Sequence, residues 1–367
     1  MCGCRGFSFM HKKPEVLTVE PRRAYTDAKT ALLQSADSPD AVTRVHAIEA
    51  LAGTLGNSEG AVYREALRDE NPALRYAAAM AIGDTRYAAA LDDLLAMAKQ
   101  GAGERDKRVY CAVIYALYRL GNDESCRDLA GLLFDKEPEV RMDAAMVMGR
   151  IGEPSAMGPL KTVLTNEQND GVKLQIVESL ALLGDSRSAE LLEAYTKGYF
   201  LDLRLAAVPA LARSGSPRAG QVLRELTAPR NPARVRVAAA GELARMGAAA
   251  EADYELCKEA LLDTETMLRE SSKRSRRNVD NNASSLKRLA AMSLGWMKRD
   301  TAVNILHPLL TGSDEGVRAA AAMSILRLLW AYRPPPIAAA TTAPAATGGT
   351  PEAPAELPRL HTAGAKD

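Results

Sequence analysis

Residues 138–152 read PEVRMDAAMVMGRIG: a proline, a Val-Arg pair, an apolar run and a closing glycine. Nearly the same phrase stands at 71–84 as NPALRYAAAMAIGD and at 315–329 as EGVRAAAAMSILRLL. Aligned on the first apolar residue, copies begin at Leu74, Val109, Val140, Val172, Leu203, Val235, Leu286 and Val317, with a looser one, TRVHAIEALAGTLG, at 43–56. They are spaced by 31, 32 or 35 residues, with one gap of 51. A fixed period of this length marks a stacked repeat protein.

Within one copy, Val140, Ala144, Val147, Met148 and Ile151 form a stripe at helical spacing. Asn71-Pro72, Pro138 and Asn231-Pro232 stand where a helix starts, and Gly121, Gly152, Gly184, Gly215 and Gly247 where one ends. A second apolar segment follows each glycine, such as AELLEAYTK at 189–197 or AVNILHPLL at 302–310. Each unit is therefore two short helices. Thirty-one residues bury too little apolar surface to offset their own ordering, so each unit depends on its neighbours.

Bulk composition agrees. Aromatics are 5% and charged residues 25%, and alanine is abundant, which suits close-packed helices and argues against a β-rich core. The net charge of +1 supplies no global attraction to nucleic acid or membranes. No apolar run is long enough for a transmembrane helix. Cys111, Cys126 and Cys257 lie in apolar stretches and read as buried thiols.

The phrase Val-Arg-x-x-Ala-Ala-x-x-[Leu/Met]-Gly-x-[Leu/Ile]-Gly resembles HEAT repeats, specifically the short, alanine-rich kind of phycobilin lyase subunits and deoxyhypusine hydroxylases. The resemblance covers roughly residues 38 to 330. It implies an all-α, right-handed superhelical solenoid of about nine helical hairpins, with the phrase helix lining the concave side. It also implies a structural role for the cation after the anchor (Arg75, Arg141, Lys173, Arg204, Arg236, Lys287 and Arg318, with Tyr110 the exception), bonding an adjacent turn. Such arrays serve many unrelated functions.

Stepping along the phrase helix opposite its buried stripe gives two concave rows. The first is Met80, Tyr115, Met146, Glu178, Pro209, Gly241, Met292 and Met323; the second is Asp84, Arg119, Arg150, Leu182, Arg213, Arg245, Trp296 and Arg327. Flexible thioethers suit an adaptable binding surface, and arginines suit carboxylates of a protein or peptide partner. The competing reading is structural, since arginine is favoured at helix C-termini whatever the function.

The hydroxylases hold a di-iron centre with paired His-Glu dipeptides, whereas His11, His46, His307 and His361 are none of them followed by Glu. With His46 and His307 at opposite ends of the array, no metal and no cofactor are expected. No nucleophile elbow or phosphate loop occurs either. The expected function is a non-enzymatic protein-binding scaffold. The alternatives are a phycobilin-lyase-like or other accessory subunit acting on a modified protein, and phosphate or nucleic-acid contact through a basic insertion.

That insertion, at 264–285, accounts for the long gap and carries Lys273, Arg274, Arg276 and Arg277 without interleaved aromatics. It reads as a solvated projecting loop. The domain reading is a tail or tether at 1–25, the solenoid at 26–331, and a Pro/Ala/Thr-rich disordered tail at 332–367. Gly3-Cys4 resembles the end of a bacterial lipobox. With a signal peptide upstream, Cys4 would carry lipid and hold the protein at the cell envelope; otherwise a cytoplasmic location is expected.

Overall fold

The computed structural model describes residues 15–100, 106–274 and 282–333, all helical or loop. Among the described residues nine helical units follow one another, eight of them pairs and one a triplet: α1 (Pro21–Ala36) and α2 (Ala41–Leu55); α3 (Gly60–Ala66) and α4 (Pro72–Thr85); α5 (Leu91–Gln100) and α6 (Lys107–Arg119). Next come α7 (Leu129–Leu132) and α8 (Pro138–Ile151); α9 (Met157–Asn166) and α10 (Asp170–Leu182); α11 (Ser186–Thr196) and α12 (Leu201–Arg213). The last three are α13 (Ala219–Leu226) and α14 (Ala233–Arg245); α15 (Glu251–Leu262), α16 (Thr264–Arg274) and α17 (Ala283–Leu294); α18 (Val303–Leu306) and α19 (Glu315–Leu328).

Local sequence sets these boundaries. Asn71, Asp106, Asn169 and Asp314 cap inner helices by accepting backbone N–H bonds at their first turn. Gly121, Gly152, Gly184, Gly215 and Gly247 all stop their helices at positive φ, between 72° and 95°. Three copies carry a side chain at that position: Arg86 and Lys298 are held at φ 53°, and Leu329 takes φ −100°.

The phrase helices pack on one another in an unbroken series, and the other helices pack chiefly onto them. A layer in contact beside a layer spread apart is a curved stack with the phrase helices inside. Small residues permit the close approach. A Cβ on Gly149 would lie 2.7 Å from the Ser179 Cβ, and the Ser179 hydroxyl donates to the Ala145 carbonyl at 2.8 Å. Ser324 repeats the contact on Gly295 and Ala291 in the same register. Between α14 and α17 the register differs. Ser293 meets Gly241 and donates to the Val237 carbonyl, three residues earlier, a slip of about 4.5 Å along α14 at ~1.5 Å per residue.

The cation after the anchor is structural, as the resemblance implied. Arg75 donates to the Asp69 and Glu70 carbonyls at 3.0 Å, and Arg141 and Arg318 repeat the bond one loop on. Arg141 also forks onto Glu167, holding that carboxyl down at about 2.

The two ends of the stack are joined. Helix α19 packs against α1 and α2, so α1 lies between α2 and α19 as α11 lies between α10 and α12. The largest core cluster runs through this seam, taking in Tyr25, Leu32 and Ile48 with Ile325 and Leu329. Polar contacts reinforce it. Asp27 bonds His307 at 2.9 Å, His46 meets Arg288 at 3.2 Å, and Thr43 bonds Glu315. Ahead of α1, Thr18 and Val16 share Asn304, and Glu15 pairs with Lys258. The segment expected to be a tail at 1–25 thus contributes residues 15–25 to the closure, and α1 begins at Pro21. The two histidines placed at opposite ends by sequence both sit at the seam, because the array is a ring.

The basic insertion is also different from expectation. Its first half is α16, packed on α15 and α17, with Met267 and Leu268 buried and Ser271 accepting from the Ala233 N–H at 3.0 Å.

Candidate functional site

The two predicted rows do fall on the inner helices, but they are used differently around the ring. At α4, α6 and α8 they are closed over. Tyr115 is fully buried and Met80 nearly so, which removes both from any groove; Met146 is half-buried. The Tyr115 hydroxyl donates to Asp84 at 2.6 Å and accepts from Arg119 at 3.0 Å. Arg150 crosses α6 to reach Asp84 at 2.5 Å, with its guanidinium 4.4 Å from the Tyr115 ring centre. Burial, with Asp84 alongside, pushes the Tyr115 phenol up to about 12 despite the opposing pull of Arg150. Nearer the helix N-termini, Tyr76 donates to Asp143 across the same gap, and Arg108 meets that carboxylate at 2.6 Å.

Arg213 is also spoken for, bound to Glu178 of the preceding inner helix, α10, at 2.6 Å. The picture changes at α14, α17 and α19. Met292 and Trp296 are each 37% exposed, and Met323 is half-buried beside them. The Arg327 guanidinium stacks 3.8 Å from the Trp296 ring centre. Burial alone pulls Arg327 down to about 10, with no carboxylate offsetting it. Arg245 bonds Glu242 through Nε at 2.7 Å. A cavity of about 370 Å³ opens here, lined by Arg245, Trp296, Lys298, Asp300 and Arg327 among others. It lies where the slip in register leaves the last turn of α14 projecting beyond α17.

The remaining predicted residues fall elsewhere. Lys273 and Arg274 close α16, while Arg276, Arg277 and Cys4 lie outside the described residues. Sequence reasoning passed over Lys298 and Asp300. The signal for Lys298 was present, since it takes the place that glycine holds in five other copies. It also passed over Glu49, which reaches water yet is crowded by the ring; burial raises its carboxyl while Arg288 opposes.

A family profile described as HEAT repeats matches residues 29–105, 99–181 and 159–244. No curated protein matches the sequence. Among solved structures, the complex of CpcE and CpcF of phycocyanin lyase from Nostoc sp. PCC7120 is similar at 17% identity and TM-score 0.42, covering 68% of this chain and 96% of that one. Human deoxyhypusine hydroxylase in complex with glycerol is similar at 18% identity and TM-score 0.35, covering 84% and 96%. An engineered protein is similar at 16% identity and TM-score 0.29, covering 82% and 98%.

Proposed function

This chain belongs to the HEAT-repeat family, and we propose that it is a non-enzymatic scaffold that docks a protein or peptide on the inner face of α17 and α19. The observation that carries this reading is the exposure of Met292 and Trp296, 37% each, where the residues matching Met292 at α4 and α6, Met80 and Tyr115, are covered. An indole and thioethers offer adaptable apolar contact, and the neighbouring arginines supply directional polar contact. The buried thiols fit a structural role, since burial raises both Cys111 and Cys257 and so suppresses the thiolate.

A photoreactive residue in place of Met292 tests this in the full chain expressed in its host. One discrete cross-linked protein is expected, lost when Trp296→Ala and Met323→Glu are added. The same photoreactive residue at Leu191, exposed on the outer helix α11, is the control. Equal cross-linking from both positions would refute the reading.

A further inference from the structure

The geometry points to a carboxylate-binding site in the cavity between the C-terminal ends of α14, α17 and α19, with Arg327 and Arg245 as the donors. This rests on the docking reading above and names the chemistry the partner must present.

Among the described residues, three side-chain atoms are buried without a hydrogen-bond partner: Arg44 Nε, Arg245 Nη2 and Arg327 Nη1. Two of the three belong to side chains that line this one cavity. A buried N–H without an acceptor is costly, and one on a charged group more so. Lys298 adds a third cation to the wall, on a backbone held at φ 53°, and Asp300 is the one acidic side chain there. With the Glu242 carboxylate already on Arg245 Nε, three cations face two carboxylates, which still leaves donors in excess.

The protein shows elsewhere which acceptor such an arrangement takes. At α4, α6 and α8, an arginine from the third helix lies over an aromatic ring of the middle one, and Asp84 of the first helix completes the set. At α14, α17 and α19, Arg327 likewise lies over Trp296, which stands one turn further along the middle helix than Tyr115 does. The residue matching Asp84 ten places after its anchor is Arg245. In the second set Glu242 already accepts from Arg245 Nε at 2.7 Å, while Arg245 Nη2 and Arg327 Nη1 are left without an acceptor. A carboxylate supplied from outside would accept from Arg327 Nη1 and Arg245 Nη2 with the Trp296 indole against its apolar stem. At about 370 Å³ the cavity holds a short acidic side chain or a small free acid.

Titration of the full-length Trp330→Phe chain, read by Trp296 fluorescence and by calorimetry, tests the site. The probes are glutarate and an N-acetylated, C-amidated pentapeptide with one central glutamate. Saturable binding of either is expected, weakened at least about tenfold by Arg327→Gln and by Arg245→Gln but not by Arg150→Gln. Binding of the peptide alone assigns the carboxylate to a protein partner; binding of glutarate alone assigns it to a free acid. Arg327→Met, free of ligand, is expected to melt no lower than the parent, because it removes a buried charge that lacks a counterion. A markedly lower melting temperature would make Arg327 a structural residue and overturn the site. So would the absence of a saturable response to both probes, or an equal response in the Arg327→Gln chain. If these fail while the cross-link from position 292 survives, the docking reading stands without the carboxylate.

Discussion

Two stretches of the inner face share a frame and differ in what fills it: Asp84, Tyr115 and Arg119 in one stand where Arg245, Met292 and Trp296 stand in the other. At α4–α8 the arginine row folds inward onto Asp84, and an aromatic residue disappears beneath it. At α14–α19 the matching position is Arg245, and the indole stays partly in water beside a cavity. Asp84 ties the first sector together, whereas Glu242 in the second reaches Arg245 but leaves Arg327 without an acceptor. The repeat supplies the frame, and the exceptions within it supply the chemistry.

The sharpest way to break this contrast is to truncate the two aromatics. Tyr115→Ala should cost about 3–5 kcal/mol, as for a buried aromatic with a bonded hydroxyl, and Trp296→Ala less than about 1 kcal/mol. Denaturant unfolding measures both, and equal losses would erase the distinction. Next in size is Asp84→Ala, expected to cost about 1–2 kcal/mol by leaving the Tyr115 hydroxyl and Arg150 without their acceptor. Paired with Arg150→Ala in a double-mutant cycle, it should show coupling, because the two groups touch. Lys298→Gly should gain about 1 kcal/mol by relieving positive φ, and Arg86→Gly a similar amount, both visible in thermal melts.

The smallest effect concerns pH at the seam. Burial, then Arg288, lowers the His46 imidazole from its ordinary 6.5. A lowered histidine binds its proton more readily when unfolded, so its contribution is whole above about 6.5 and is lost as pH falls through the folded value. Hydrogen-exchange protection factors, corrected for the intrinsic pH dependence of exchange, should therefore fall on acidification more in α2 than in α12, and His46→Gln should remove that difference.

The helices, their order and their stops were legible in sequence, because alanine-rich helical periodicity and terminal glycines are local signals. The structural role of Arg75 and Arg141 came from the resemblance to HEAT repeats, and the structure shows it to be local, with backbone acceptors five or six residues back. Tyr115 was misread, because its burial depends on Arg150 and Asp84 arriving from two other copies. Closure was equally invisible. Thr43 and Glu315 lie 272 residues apart, and nothing in either phrase announces the other. The insertion misled for a related reason, since α16 gains its helical form by docking Met267 and Leu268 on its neighbours.

Joining α19 to α1 and α2 fixes how many units the molecule can hold. An open array tolerates duplication or loss of a unit at its ends. Here either change would force every crossing angle to readjust or the circle to part, so evolutionary drift in length is confined to insertions such as α16. The same adjacency makes the chain a candidate for circular permutation, with the present termini linked and new ones cut between α5 and α6.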